Sequence, residues 1–148
     1  MWLSRIGSWG AVWIALGLAL AIFRRQIQPL ILVLLVFTVS DGAAELLKSA
    51  VGERRPHVAD PLVAVPRSAS FPSGHAATSF ACATVLAVLV PRAAPFLFVL
   101  AAAIAYSRLY VGVHWPLDVV AGAALGIATA LLLLSAARRL SRGRRRSD

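Results

Sequence analysis

The sequence predicts an all-α, polytopic transmembrane bundle of about five helices, with its polar motifs gathered at one membrane face. Three observations carry this. The chain is 59% hydrophobic over 148 residues, which suits one domain in a membrane solvent better than a water-exposed globule. Its apolar residues fall in continuous runs, not in the alternation that a β-barrel requires. Charged residues make up only 14% of the chain and collect mainly at the ends of those runs, in one loop and in a basic C-terminal stretch.

Five apolar segments follow in order. Residues 6–23 form the first, with Arg24 and Arg25 directly after it. Arg5 ahead of this run and the Ala19-Leu20-Ala21 triplet resemble a secretory leader, but the run is about long enough to span, so a retained helix is expected. Residues 27–48 form the second. Residues 73–90 form the third, stopped by Pro91. Residues 94–110 are the fourth and the shortest span. Residues 116–137 are the fifth, with Pro116 suited to a first helical position. The one substantial loop, 52–72, carries Pro56, Pro61, Pro66 and Pro72. Residues 1–137 therefore read as a single integral-membrane domain, and residues 138–148 as a basic cytoplasmic tail.

Charge sets the orientation. With five spans, the loops after helices one and three share a side with the C-terminus. That side holds Arg24, Arg25, Arg92, Arg138, Arg139, Arg142, Arg144, Arg145 and Arg146, nine of the 15 basic residues. The positive-inside rule then places the tail in the cytoplasm and the loop 52–72 outside, in a cell membrane. The net charge of +9 reads as a membrane-adjacent tail rather than a nucleic-acid surface. The lone Cys82 excludes an intrachain disulfide and any thiol motif.

Three short runs carry the chemistry. Lys48 is followed after six residues by Arg55-Pro56. Pro72-Ser73-Gly74-His75 opens the third helix. Ser107-Arg108 ends the fourth, with His114 and Asp118 beyond it. On the assigned topology all three fall on one membrane face. An Arg, Lys or Asp near a helix centre costs roughly 2.5–3.5 kcal/mol even on the lower insertion scales, so these charges call for a polar pocket. His114 and Asp118, four apart, can face one direction. A carboxylate on one imidazole nitrogen fixes the tautomer and leaves the other nitrogen as a nucleophile toward phosphorus. Arg108 offers a planar fork for two phosphate oxygens. Ser73 suits an N-cap, Gly74 allows close backbone approach, and the free amides there cradle an anion. His75 can donate a proton to a leaving oxygen. Taken singly, His114 reads equally well as a capping or packing histidine, Asp118 as a first-turn dipole partner, and Lys48 as a C-terminal one.

The three runs together closely resemble the signature of the type 2 phosphatidic acid phosphatase and haloperoxidase superfamily, over roughly residues 41–125. The resemblance implies a membrane lipid phosphatase of bacterial type that works through a phosphohistidine. His114 would be the nucleophile, His75 the general acid and Asp118 the supporting carboxylate. Lys48, Arg55, Arg108, Ser73 and Gly74 would bind phosphate, with Ser107 in support. Relatives often read Arg-Pro-Arg-Pro where this chain has Glu53-Arg54-Arg55-Pro56, so Arg54 could share or replace the role of Arg55. The family usually has six transmembrane helices against five counted here, so one N-terminal helix is expected to be absent. His57 matches no family position and reads as a solvated loop residue.

Asp41, Glu45 and Lys48 share one face of the second helix. Asp41 is expected as a buried, protonated carboxyl bonding a neighbouring helix, and Glu45 as a second candidate supporter of Lys48. Gly122 and Gly126 suit close helix packing. No metal-ligand motif appears, so activity without metal or other cofactor is expected, with inhibition by vanadate. The expected substrate is a lipid phosphate, first a bacterial polyprenyl diphosphate such as undecaprenyl diphosphate, or the monophosphate. Phosphatidic acid or phosphatidylglycerol phosphate comes second. Two other classes share the pocket chemistry, a vanadate-dependent haloperoxidase-like oxidoreductase and a non-enzymatic phosphate-binding membrane protein. Vanadate-dependent bromide oxidation would mark the former, and phosphate release by purified protein excludes the latter. Membrane lipids are the expected surroundings, and the sequence leaves the oligomeric state open.

Overall fold

The computed structural model describes residues 10–56 and 65–144, all helix, turn or loop among those residues. The start of the first apolar run and His57 lie outside the described residues. Among the described residues five α-helices follow one another: α1 (Gly10–Arg24), α2 (Gln28–Val51), α3 (Gly74–Leu89), α4 (Ala94–Tyr110) and α5 (Pro116–Arg144), with one 3-10 turn at Pro91–Ala93. Prolines sit in the opening turns of α2, α4 and α5, where a missing N–H costs nothing. Helix α4 has the expected bounds. Helix α5 continues beyond its apolar run, so Arg138 and Arg139 are helical.

The residues turned outward explain the composition. Phe23, Leu46, Phe96, Val99, Leu117 and Leu132 are all exposed, an arrangement that suits lipid and not water. Segments Gln28–Val51, Pro91–Tyr110 and Pro116–Arg139 are long and apolar enough to cross a membrane. Helices α1 and α3 are apolar but shorter, at 15 and 16 residues, or about 23 Å at 1.5 Å per residue.

Helix α3 is the hub. It packs against α5, α2 and α4, and less extensively against α1. Ten of its 16 residues are Ala, Ser, Thr, Gly or Cys, small enough for four neighbours to approach. The tightest seam lies against α5. A Cβ added at Gly122 would stand 2.4 Å from the Ser73 carbonyl oxygen, and one at Gly126 would stand 2.1 Å from that of Ala77. Both glycines are required by backbone contact, as their spacing suggested. On the other side Trp13 is fully buried, and its indole Nε1 donates to Ser79 Oγ at 3.2 Å. Arg24 Nη2 donates to the Leu89 carbonyl at 2.5 Å, tying the ends of α1 and α3 together.

This packing sets the C-terminal ends of α2 and α4 beside the N-terminal ends of α3 and α5. The amide of Ser73 donates to the Asp118 carbonyl at 2.9 Å, so the second and third motifs meet directly. Gly112, with φ +69°, turns the chain between α4 and α5. Its amide bonds the Leu109 carbonyl at 2.9 Å, and that of Val113 bonds the Arg108 carbonyl at 3.2 Å.

Candidate active site

Asp118 is the third residue of α5 and only 1% exposed. Its Oδ2 accepts the amide of Trp115 at 2.8 Å, one half of a capping box at the helix start. The same oxygen faces His114 Nδ1 at 3.3 Å and accepts the hydroxyl of Ser70. The dipole role and the imidazole-orienting role are thus filled by one oxygen. Because a carboxylate can only accept, the proton of His114 belongs on Nδ1, and Nε2 keeps its lone pair.

That lone pair faces a cation. Arg55 Nη1 lies 3.4 Å from His114 Nε2 and donates to the Val113 carbonyl at 2.7 Å. The rest of the guanidinium is anchored in the loop, with Nε on the Ser68 carbonyl at 2.9 Å, and Nη2 on the Ala69 carbonyl at 3.2 Å and Ser68 Oγ at 3.3 Å. Arg55, not Arg54, reaches the histidine. Arg54 is exposed, and its carbonyl accepts the Trp115 indole at 3.1 Å.

Lys48 is 8% exposed, and its Nζ is paired with Glu45 Oε1 at 2.6 Å. The ammonium lies 3.4 Å from where a Gly74 Cβ would stand, at the entrance to α3. Asp41 corrects its expectation. It is exposed, not buried, and its Oδ1 lies 3.6 Å from the same point, turned toward α3. Ser73 corrects a detail: it occupies the N-cap position, but its hydroxyl makes no capping bond. Its Oγ and Asp118 Oδ1 are buried without hydrogen-bond partners. A hydroxyl left so beside helix-end amides suits an anion. His75 follows in the first turn of α3, half-buried. Arg108, half-buried at the end of α4, has its Nε on Ser107 Oγ at 3.2 Å, and Ser107 in turn bonds the Ile104 carbonyl at 2.6 Å. Among the described residues, no group of three or more His, Cys, Asp or Glu side chains is placed to hold a metal ion.

Two participants are absent from the motif reading. Ser70 and Ser68 hold Asp118 and Arg55 from the loop just before Pro72. Their only sequence signal is a cluster of small polar residues, which reads as an ordinary turn.

The charge on His114 is set by this packing. Burial lowers its pKa from 6.5 to about 4, helped by the positive charges of Arg55 and Lys48 and opposed by Asp118. The unfolded chain therefore binds the extra proton first as pH falls. The stability that the neutral ring contributes is complete above about 6.5 and is lost toward 4. An NMR titration of the ring nitrogens in substrate-free protein should find His114 neutral at pH 5.5. A midpoint near 6.5 contradicts the buried, cation-flanked placement.

Residues 10–142 match the family model described as the PAP2 superfamily. The chain belongs to that superfamily. It is 37% identical over 120 residues to an undecaprenyl-diphosphatase of Sulfolobus acidocaldarius, covering 78% of this chain and 58% of that relative's length. It is 36% identical to a decaprenylphosphoryl-5-phosphoribose phosphatase of Mycobacterium tuberculosis, with 97% of this chain and 82% of the relative covered. Among solved structures, it resembles the transmembrane PAP2-type phosphatidylglycerolphosphate phosphatase of Bacillus subtilis with TM-score 0.69 and 25% identity, over 93% of this chain and 74% of that one. Aquifex aeolicus LpxE gives 0.64 and 35%, over 90% and 81%. The likeness thus extends beyond the motif-bearing region to α1, and the membrane reading of the apolar helices agrees with it.

Proposed function

We propose that this PAP2 protein is a lipid phosphate phosphatase that hydrolyses its substrate through a phosphohistidine on His114. One observation carries the reading: the imidazole is oriented by Asp118 through Nδ1 while Nε2 faces the Arg55 guanidinium. The fixed cation favours a phosphate oxygen there, and the lone pair favours its electrophilic phosphorus. Arg55 Nη1, 3.4 Å from Nε2, stands beside the nitrogen that phosphorus approaches, where it can hold a phosphate oxygen.

In this mechanism Nε2 attacks phosphorus in line with the scissile P–O bond. That bond breaks, and His75 gives its proton to the departing oxygen. Lys48, Arg55 and Arg108, with the amides and hydroxyl at Ser73 and Gly74, hold the three equatorial oxygens as charge spreads over them. Glu45 keeps Lys48 in place. Water then attacks the phosphohistidine, returning a proton to His75. The P–N bond breaks, and inorganic phosphate leaves with His114 restored. Since side-chain cations supply the charge, phosphate release should persist in excess chelator and fall with added vanadate. Loss of release in chelator, restored by magnesium, contradicts this scheme.

The lipid class follows from placement. A site at helix ends lets the tail stay among lipids while the head group enters. Three of the proteins named above are phosphatases named for polyprenyl-linked substrates or for phosphatidylglycerol phosphate. A polyprenyl diphosphate or monophosphate is our first substrate, with phosphatidic acid or phosphatidylglycerol phosphate second. We read all five helices as spans, with the site outside and the basic C-terminal stretch in the cytoplasm, on the positive-inside split. The exposed Val65, replaced by cysteine in a Cys82→Ala background, should react with an impermeant maleimide in intact cells. Reaction only after permeabilisation reverses the assigned face.

A further inference from the structure

We infer that Ser70 is a positioning residue of this site: its hydroxyl fixes the Asp118 carboxylate, and through it the His114 imidazole, in the orientation that attack on phosphorus requires. This rests on the reading of His114 as nucleophile and adds a residue outside the three motifs.

The geometry separates what sets the carboxylate from what the carboxylate sets. Asp118 Oδ2 receives three donors, and Oδ1 receives none. Two of the donors come from fixed points. Trp115 N belongs to the start of α5, at 2.8 Å. Ser70 Oγ belongs to a fully buried residue whose own amide is clipped to the Glu53 carbonyl at 2.8 Å. The third donor, His114 Nδ1, is the most distant of the three, at 3.3 Å. The carboxylate is therefore located by Ser70 and Trp115, and the imidazole follows it. A carboxylate cannot donate, so Ser70 must spend its proton here.

The segment holding Ser70 gives this bond a second consequence. The carbonyls of Ser68 and Ala69, immediately before it, accept from Arg55. Three consecutive residues thus hold the cation on one side of His114 and the carboxylate on the other. Both ring nitrogens are referenced to one short stretch of backbone, which keeps Nε2 and the phosphate-binding guanidinium in register.

The test compares Ser70→Ala and Ser70→Thr with wild type, in detergent-purified protein and with a long-chain lipid phosphate that wild type hydrolyses. Ser70→Ala should lower kcat about 10–100-fold, the scale of a small misplacement of a reacting group, and leave KM within about twofold. The lost hydrogen bond leaves the carboxylate charge less neutralised, so the His114 ring titration should move to higher pH; the facing charges are Asp118, Arg55 and Lys48. Ser70→Thr, which keeps the hydroxyl, should restore both. A Ser70→Ala protein with wild-type kcat and an unmoved titration, whatever its melting temperature, overturns the inference. His114→Ala in the same assay keeps the two readings apart: if it hydrolyses the lipid as wild type does, the nucleophile reading fails, whereas a wild-type Ser70→Ala beside an inactive His114→Ala removes only the role of Ser70.

Discussion

Replacing His114 by alanine is expected to lower phosphate release by a factor on the order of 10^4 or more, because it removes the proposed nucleophile and not merely a contact. Binding should survive. Lys48, Arg55, the α3 amides and Ser73 all remain, so vanadate or phosphate should still raise the melting temperature of the variant. The contrast with His75 sharpens the expectation. A general acid matters in proportion to how poor the leaving group is. His75→Ala should therefore be crippled on a lipid phosphate yet still phosphorylate itself from nitrophenyl phosphate, whose leaving group departs without a proton. Parallel turnover of both substrates by both variants checks this. A His114→Ala protein that retains a tenth of wild-type turnover contradicts the assignment.

The second large effect is structural. Gly126→Ala should destabilise the bundle by several kcal/mol, since overpacking costs about 1–3 kcal/mol even where side chains can yield. Here the clashing atom is backbone, 2.1 Å from the new Cβ. Helix propensity alone gives the opposite sign, about 1 kcal/mol in favour of alanine over glycine. Gly42 supplies the control, because a Cβ there meets nothing within 4 Å. Gly42→Ala should hold or raise the melting temperature, and Gly126→Ala should lower it sharply and reduce the yield of folded protein. Equal behaviour of the two variants contradicts the α3–α5 seam. Because that seam also sets Ser73 against Asp118, Gly126→Ala should lose activity along with stability.

Much of this architecture was legible in the sequence because the relevant forces are local. Continuous apolar runs, prolines in first turns and a stop at Pro91 gave the helices, and α4 has the expected bounds. The four-residue spacing of His114 and Asp118 put both on one side of a helix start. The Gly122 and Gly126 spacing pointed to close packing for the reason the structure shows.

What escaped the sequence depends on contacts between distant residues. Ser70 and Asp118 are 48 positions apart, and no periodicity links them. Asp41 was expected buried against a neighbouring helix; its carboxyl does turn to the entrance of α3, but it stays exposed, because depth along α2 does not give burial. Ser73 has the residue type of an N-cap, yet its hydroxyl is left unbonded beside the helix amides. The choice between Arg54 and Arg55 was open on sequence, since adjacent arginines differ only in direction. The carbonyls of Ser68, Ala69 and Val113 hold Arg55, and not Arg54, beside His114.

The most direct test of the central claim is to trap the covalent intermediate. Purified protein is mixed with a lipid phosphate carrying radioactive phosphorus, quenched within milliseconds in alkali, and digested for mass spectrometry under conditions that preserve a P–N bond. The expected result is an acid-labile phosphoryl group on the peptide containing His114, absent from His114→Ala and still formed by His75→Ala with a good leaving group. A phosphoryl group on His75, with none on His114, contradicts the account.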